Sequence, residues 1–158
     1  MSGTEGNVSA REGELVHITP SALPYPELTV DDLVTLGLDG EVVAGRREPS
    51  SERRVHLAVY AARPDARALV HTHSRHATAW SLRGEPLGDI RTAAYAPSGS
   101  DEIAAAAVEA LGGRPAVLLE RHGVLGVGGS PSDALEVCVQ LERRALLGGG
   151  SVTKRTQA

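Results

Sequence analysis

Strand-like and helix-like hydrophobic patterns alternate along the chain, each changing over within roughly 8 to 15 residues. Strands are predicted over residues 14–20, in a hairpin over 34–45, over 66–73, and on both sides of a turn at His122-Gly123 within 115–129. Helices are predicted over 49–64, 75–82 and 98–113, and from residue 130 onwards. Short connections between these elements indicate an α/β fold with one mixed, mostly antiparallel sheet flanked by helices.

Composition limits the class of protein. The 158 residues predict a single domain over 1–147, followed by a flexible C-terminal tail over 148–158 that begins with three glycines. The net charge of −4, without a cluster of basic residues, argues against binding to nucleic acid. The sequence shows no apolar run that could span a membrane, and we expect no signal peptide. A single cysteine, Cys138, excludes an internal disulfide, so we expect a cytoplasmic protein.

Two histidines lie one residue apart in the segment VHTHS. Because side chains alternate along a strand, His71 and His73 face the same side and can bind one metal ion. His122 follows another buried run, and Gly123 next to it is expected to let the backbone turn sharply. Each histidine alone has an ordinary structural explanation in a core or a turn. Three imidazoles with an open position, however, are what a catalytic zinc ion prefers.

A carboxylate is also needed beside such a metal, either as a ligand or as a proton carrier. Glu52, which we expect in the first turn of a helix, is the best candidate, although acids are common there for helix stability alone. His56 lies four residues further on and shares that helix face. A competing Glu52–His56 metal pair therefore stays open, with a supporting role for His56 as the preferred interpretation.

Two segments indicate an anion site. SGTEGNVS, over residues 2–9, contains glycines whose backbone N–H groups can approach a ligand, together with Thr4 and Asn7. Ser50 and Ser51 open a helix, where free N–H groups and the helix dipole favour a phosphate. Either segment could instead be a frayed terminus or a simple helix cap. Together they would hold a phosphate close to Glu52.

Five motifs, in this order, resemble the class II aldolase/adducin family: GTEGNVS, ITPSALPYPEL, EPSSERRVH, RPDARALVHTHS and LLERHGVLGVG. The resemblance extends from Ser2 to Leu147, and it is strongest to members that act on L-fuculose 1-phosphate. It implies a three-layer α/β/α fold with a mostly antiparallel central sheet. It also implies a homotetramer with active sites between subunits.

Functional residues carry over from the family by position. The resemblance implies one Zn²⁺ per subunit, held by His71, His73 and His122. Glu52 would be the catalytic acid/base and would also bind the metal when substrate is absent. The substrate phosphate would be held by Thr4, Asn7, Ser50 and Ser51 and by the backbone of Gly6. In the family, the position of His56 is not a metal ligand.

The resemblance implies a zinc-dependent aldolase. Its substrate would be a ketose 1-phosphate similar to L-fuculose 1-phosphate, and its products dihydroxyacetone phosphate and an aldehyde. The segment between His73 and His122 is shorter than in the aldolases, and Ala22 stands where a glycine is usual. Other activities of this fold are therefore kept open: an L-ribulose-5-phosphate 4-epimerase, a methylthioribulose-1-phosphate dehydratase, a decarboxylase, or a non-catalytic adducin-like module that binds zinc and phosphate.

Overall fold

The computed structural model describes residues 5–148, which form an eight-stranded sheet with four α-helices. The strands are β1 (Asn7–Glu12), β2 (Leu15–Ile18), β3 (Val34–Gly37), β4 (Val42–Ala44), β5 (Ala68–Thr72), β6 (Thr92–Ala93), β7 (Ala116–Leu119) and β8 (Gly123–Gly128). The helices are α1 (Arg53–Ala62), α2 (Arg75–Ser81), α3 (Asp101–Leu111) and α4 (Pro131–Leu146). Thr4 and all of the predicted tail except Gly148 lie outside the described residues.

The sheet is mixed and mostly antiparallel, as predicted. Its strand order is β4-β3-β2-β1-β5-β8-β7-β6, and only the β6–β7 pair is parallel. In the centre, β5 lies between β1 and β8, with His71 opposite Asn7 on one side and Leu125 on the other. This register brings residues from both ends of the sequence together at one end of β5.

Helices cover both faces of the sheet, so the predicted three-layer α/β/α architecture is confirmed. On one face α1 and α3 pack against a core that includes Leu69 and Leu125. On the other face α2 and α4 pack against Val70 and Val124. Neighbouring residues of one strand therefore enter different cores, as strand alternation requires. No helix within residues 5–148 is long and apolar enough to span a membrane.

Serine side chains cap the N-termini of the two longest helices in the described part of the chain. The Ser100 side chain accepts a hydrogen bond from the Ile103 backbone N–H at 3.2 Å, and Ser130 caps α4 in the same way through Asp133. In α4, Ala134, Cys138 and Leu141 are buried, as their helical spacing predicts. Local sequence therefore determines where these helices begin and which side of each faces the sheet.

Three predictions about local structure need correction. Helix α1 begins at Arg53, so Glu52 precedes the helix as its N-cap residue and does not lie in its first turn. The turn before β8 has its left-handed residue at Arg121, with φ of 58°, whereas Gly123 already belongs to β8. The segment described only as glycine-rich contains strand β1, and the two-residue strand β6 was not predicted.

Close packing of α4 on β8 depends on a glycine, which gives a test of the fold. A Cβ atom at Gly126 would lie 2.8 Å from Cys138 Sγ and would also crowd the Ala134 carbonyl oxygen. We expect Gly126→Ala to lower the free energy of unfolding by about 1–3 kcal/mol, because the helix must shift to make room. Urea unfolding measures this change. Gly113→Ala is the control, since no atom lies within 4 Å of its added Cβ. Equal stability of the two variants would contradict this packing.

Candidate active site

The four side chains that are predicted as metal ligands lie close together in the structure. One possible ligand atom from each of Glu52, His71, His73 and His122 lies within 4.8 Å of the others. They come from the start of α1, the end of β5 and the turn before β8. Glu52 and His71 are buried, and His73 and His122 are partly exposed, so the cluster opens toward solvent on one side.

Local backbone geometry brings the histidines together. His71 points to the sheet face that α1 covers, like Leu69 on the same strand. His73 lies one residue beyond the end of β5, and its Nε2 approaches His71 Nε2. Gly123 permits the close approach of β8, because a Cβ atom there would overlap the Thr72 carbonyl oxygen and lie 3.1 Å from His71 Cε1. This requirement for space, and not for a sharp turn, explains a glycine after His122.

The arrangement of donor atoms suits a tetrahedral metal ion. His71 Nε2 lies 2.8 Å from His73 Nε2, and Glu52 Oε1 lies 2.8 Å from His122 Nε2. Tetrahedral zinc with bonds of about 2.0–2.1 Å separates its ligands by ~3.3 Å, close to these values. His71 Nδ1 donates to the Val124 carbonyl oxygen at 2.8 Å. A carbonyl can only accept, so the lone pair of His71 is on Nε2, which faces the cluster.

The charge states also suit metal binding. Burial lowers the pKa of His71 to about 4, so its imidazole is neutral near pH 7 and its lone pair is available to a cation. Burial raises the pKa of Glu52, but the hydrogen bond with His122, the charges of His71 and His122 and the Asn7 amide together lower it more. Glu52 is therefore a carboxylate with a pKa below its ordinary value, next to the neutral imidazole of His71.

Two hydrogen-bond donors hold the Glu52 carboxylate from the protein side. Asn7 Nδ2 donates to Oε2 at 2.7 Å, and Ser98 Oγ donates to Oε1 at 2.9 Å. Sequence reasoning did not identify Ser98. It lies in the loop before α3, and no spacing or motif relates this loop to a residue 46 positions earlier.

A polar cleft of about 220 Å³ extends from the cluster. Its lining includes Glu52, His73, His122 and Ser98, with Ser21, Ala22, and the predicted phosphate-binding residues Gly6, Asn7, Ser50 and Ser51. Thr4, the remaining predicted member, lies outside the described residues. Ser50 is buried, and its Oγ accepts from the Glu52 backbone N–H at 3.2 Å, whereas Ser51 is exposed.

Two positions in the cleft have left-handed backbone. Gly6 has φ of 82°, and a Cβ atom there would meet the His71 carbonyl oxygen at 2.5 Å, so the position needs glycine for both reasons. Ala22 has φ of 58°, in the region that favours glycine, the residue that the resemblance puts at this position.

The structure excludes the competing Glu52–His56 metal pair. Both ring nitrogens of His56 are hydrogen-bonded elsewhere, Nδ1 with Ser9 Oγ at 2.7 Å and Nε2 with Asn7 Oδ1 at 2.5 Å. His56 is fully buried, and burial lowers its pKa to about 3. His56 therefore supports the site through its contact with Asn7, which agrees with the supporting role preferred for it above.

A larger cavity of about 500 Å³ lies on the other face of the sheet, between β5 and α4. Its lining combines apolar residues such as Val8, Val70 and Val139 with polar ones; His71 and His73 border it, but Glu52 and His122 do not. The acid/base candidate Glu52 therefore faces the polar cleft and not this cavity.

Comparison with known proteins agrees with this geometry. Residues 1–147 match the family model described as Class II Aldolase and Adducin N-terminal domain. The chain belongs to this family. As a class II aldolase, it is a metal-dependent lyase with the family fold.

Three relatives indicate the range within the family. A 5-deoxy-D-ribulose 1-phosphate aldolase from Bacillus thuringiensis is 40% identical over 89% of this chain and 72% of its own. A 5-methylthioribulose-1-phosphate/5-deoxyribulose-1-phosphate aldolase from Rhodospirillum rubrum is 38% identical over 90% of this chain and 70% of its own. A solved structure of an L-fuculose 1-phosphate aldolase superimposes with a TM-score of 0.89 at 35% identity, covering 93% of this chain and 76% of its own.

Removal of one histidine tests the metal site. We expect His122→Ala to weaken zinc binding by more than about 100-fold, because the cluster loses one of its three imidazole donors. Isothermal titration of the metal-free protein measures the change in Kd. His17→Ala is the matched control, since His17 lies on β2 and bonds to Thr35 outside the cluster. Similar zinc affinity in both variants would rule out His122 as a ligand.

The buried neutral histidines predict how stability depends on pH. In the metal-free fold the pKa is about 4 for His71 and about 3 for His56, against 6.5 ordinarily. Below pH 6.5 the unfolded chain binds more protons, so stability is fully present above that pH and falls on acidification toward pH 4. Each histidine contributes up to about 1.4 kcal/mol per pH unit to the free energy of unfolding.

Urea unfolding in the presence of a chelator between pH 7.5 and 4.5 measures this pH dependence, and His56→Gln should reduce its slope. A flat profile would contradict burial in the neutral form.

Proposed function

We propose that this protein is a zinc-dependent aldolase that cleaves a ketose 1-phosphate to dihydroxyacetone phosphate and an aldehyde. The supporting observation is that the Glu52 carboxylate contacts His71 Nε2 and His122 Nε2 at 3.2 and 2.8 Å in the cleft that also contains Ser50 and Gly6. One cleft thus combines metal donors, an acid/base group and a possible anion site.

His71, His73 and His122 would hold the metal through their Nε2 atoms. Three imidazole donors and an exchangeable carboxylate favour zinc over magnesium or calcium, which prefer oxygen ligands. When bound, zinc would supply Lewis-acid stabilisation of the negative charge that develops on the substrate oxygens during cleavage. The Val124 carbonyl oxygen, which accepts from His71 Nδ1, would keep that ring in the metal-binding orientation.

The phosphate would lie where the cleft meets the start of α1. Ser50 and Ser51 line the cleft there, and the helix dipole favours an anion. The Ser50 backbone N–H donates to the Thr19 carbonyl oxygen, so the groups offered to the phosphate would be the two hydroxyls and the Ser51 N–H. Gly6 lets the loop before β1 approach from the other side. Because the phosphate is fixed on C1 of the substrate, this site would set which carbon faces Glu52.

Glu52 would transfer the proton at C3. When the C3–C4 bond breaks, the C4 hydroxyl would give its proton to the Glu52 carboxylate and become the aldehyde, while the bonding electron pair would stay with C3, delocalised into the C2 carbonyl. A proton delivered from Glu52 to C3 then completes dihydroxyacetone phosphate. Asn7 and Ser98, which donate to the two carboxylate oxygens, would hold Glu52 in place for this transfer.

The substrate class follows from what the relatives' names have in common. L-fuculose 1-phosphate, 5-deoxyribulose 1-phosphate and 5-methylthioribulose 1-phosphate differ in the aldehyde that they release and share the ketose 1-phosphate half. The described cleft residues would bind that shared half. A homotetramer with sites between subunits and a cytoplasmic location remain predictions from the resemblance and the composition.

The test is dihydroxyacetone phosphate release from these three ketose 1-phosphates by the zinc-loaded protein. We expect release from at least one, and a loss of kcat of about 10²–10⁴-fold in Glu52→Gln, because the amide cannot carry the proton. His17→Gln is the control and should keep the wild-type rate.

A folded, zinc-loaded protein that releases nothing from any of the three would refute the proposal. The sugar-phosphate epimerase and dehydratase reactions would then be assayed, and inactivity in both would indicate a non-catalytic module.

A further inference from the structure

A buried chain of hydrogen bonds runs from Glu52 into the interior of the protein. Asn7 Nδ2 donates to Glu52 Oε2 at 2.7 Å, and Asn7 Oδ1 lies 2.5 Å from His56 Nε2. On its other side, His56 Nδ1 lies 2.7 Å from Ser9 Oγ, which lies 2.8 Å from the Tyr60 hydroxyl. Every member is at most 8% exposed.

The direction of each hydrogen bond follows from the chemistry of its two groups. An ionised carboxylate only accepts, so the nitrogen of the Asn7 amide faces Glu52 and its oxygen faces His56. His56 must therefore carry its hydrogen on Nε2, which leaves Nδ1 as an acceptor. Ser9 then donates to Nδ1, and its oxygen is left to accept from Tyr60. One protonation pattern satisfies the whole chain.

Matching periodicities of a helix and a strand build this chain. Glu52, His56 and Tyr60 are spaced by four along α1 and its N-cap, which corresponds to a rise of about 6 Å. Asn7 and Ser9 are spaced by two along β1, a rise of about 6.6 Å. The two rows therefore stay in step and interdigitate, so that each inner member contacts two partners.

We propose that His56 is a positioning residue that holds the Asn7 amide in the one orientation able to donate to Glu52. This inference rests on the proposed function, in which Glu52 transfers the proton. A flipped Asn7 amide would present its oxygen to the carboxylate and repel it. The hydrogen on His56 Nε2 opposes this flip, because it requires an acceptor on Asn7. His56 thereby fixes the direction from which Glu52 faces the metal cluster.

Kinetics of His56 variants test this role. We expect His56→Leu to lower kcat by about 10- to 100-fold, with KM changed less than about threefold. His56→Gln should recover most of the rate, because its amide nitrogen lies close to the place of imidazole Nε2. In a Glu52→Gln background, His56→Leu should cause no further loss, since it acts through Glu52. His17→Leu is the control histidine.

Different kinetics would overturn the proposal. If His56 only fills space, both variants would lower the melting temperature while kcat per folded, zinc-loaded molecule stayed at the wild-type value. A full additional loss in the Glu52→Gln background would show that His56 acts independently of the carboxylate. If kcat of His56→Gln were no higher than kcat of His56→Leu, the N–H donor at His56 Nε2 would have no role in positioning Glu52.

A measurement independent of turnover separates this inference from the proposed function. Nitrogen-15 spectra of the histidine rings in the zinc-loaded protein should show His56 protonated on Nε2 only, and hydrogen on Nδ1 would overturn the assignment. His56→Leu should shift the nitrogen-15 resonance of the Asn7 amide and the carbon-13 resonance of the Glu52 carboxylate, whereas His17→Leu should not. If the wild type cleaved no ketose 1-phosphate, the proposed function would fail, and these spectra would still decide whether His56 orients Asn7 and Glu52.

Discussion

The pairing of β5 with its two neighbours is the interaction on which the rest of the site depends. Asn7 lies opposite His71 across the β1–β5 ladder, and Thr72 lies opposite Val124 across the β5–β8 ladder. A slip of one residue in either ladder would move its polar side chains to the α4 face, among Val70 and Leu118, because neighbouring strand residues face opposite sides. The apolar residues of the same strands oppose this slip, so core packing and site geometry are fixed together.

The same strands impose an electrostatic cost that local hydrogen bonds offset. Burying a carboxylate beside imidazoles removes hydration from several polar groups at once. Here each group finds a partner: Glu52 accepts from Asn7 and Ser98, and His71 Nδ1 donates to the Val124 carbonyl oxygen. The Glu52 carboxylate oxygens and the Nε2 atoms of His71 and His122 then face one another. A bound cation would satisfy both, which is why the cluster suits a metal better than an empty polar core.

Local periodicity explains which features the sequence predicts and which it does not. The i, i+2 spacing of His71 and His73 and the predicted start of the last helix at residue 130 are local patterns, and the structure agrees with them. The contact of Ser98 with Glu52 is formed by folding over 46 positions, so no local spacing indicates it. Strand β1 is not predicted, because the glycines that precede and adjoin it are more typical of a loop. The space required near His71 could be recognised only once β8 was placed beside β5, which is why Gly123 was assigned to a turn.

Asn7 links the two halves of the chemistry. Its amide nitrogen has two hydrogens, one of which is used by Glu52, and its side chain lines the cleft where the resemblance puts a phosphate. If the second hydrogen binds that phosphate, one amide orients both the anion and the proton carrier, and its own orientation is set by His56. Substrate position and carboxylate position then cannot vary independently. In the proposed function, a single amide buried between α1 and β1 would thus relate the fixed end of the substrate to the carbon that receives the proton, while the aldehyde end would stay free to differ among members of the family.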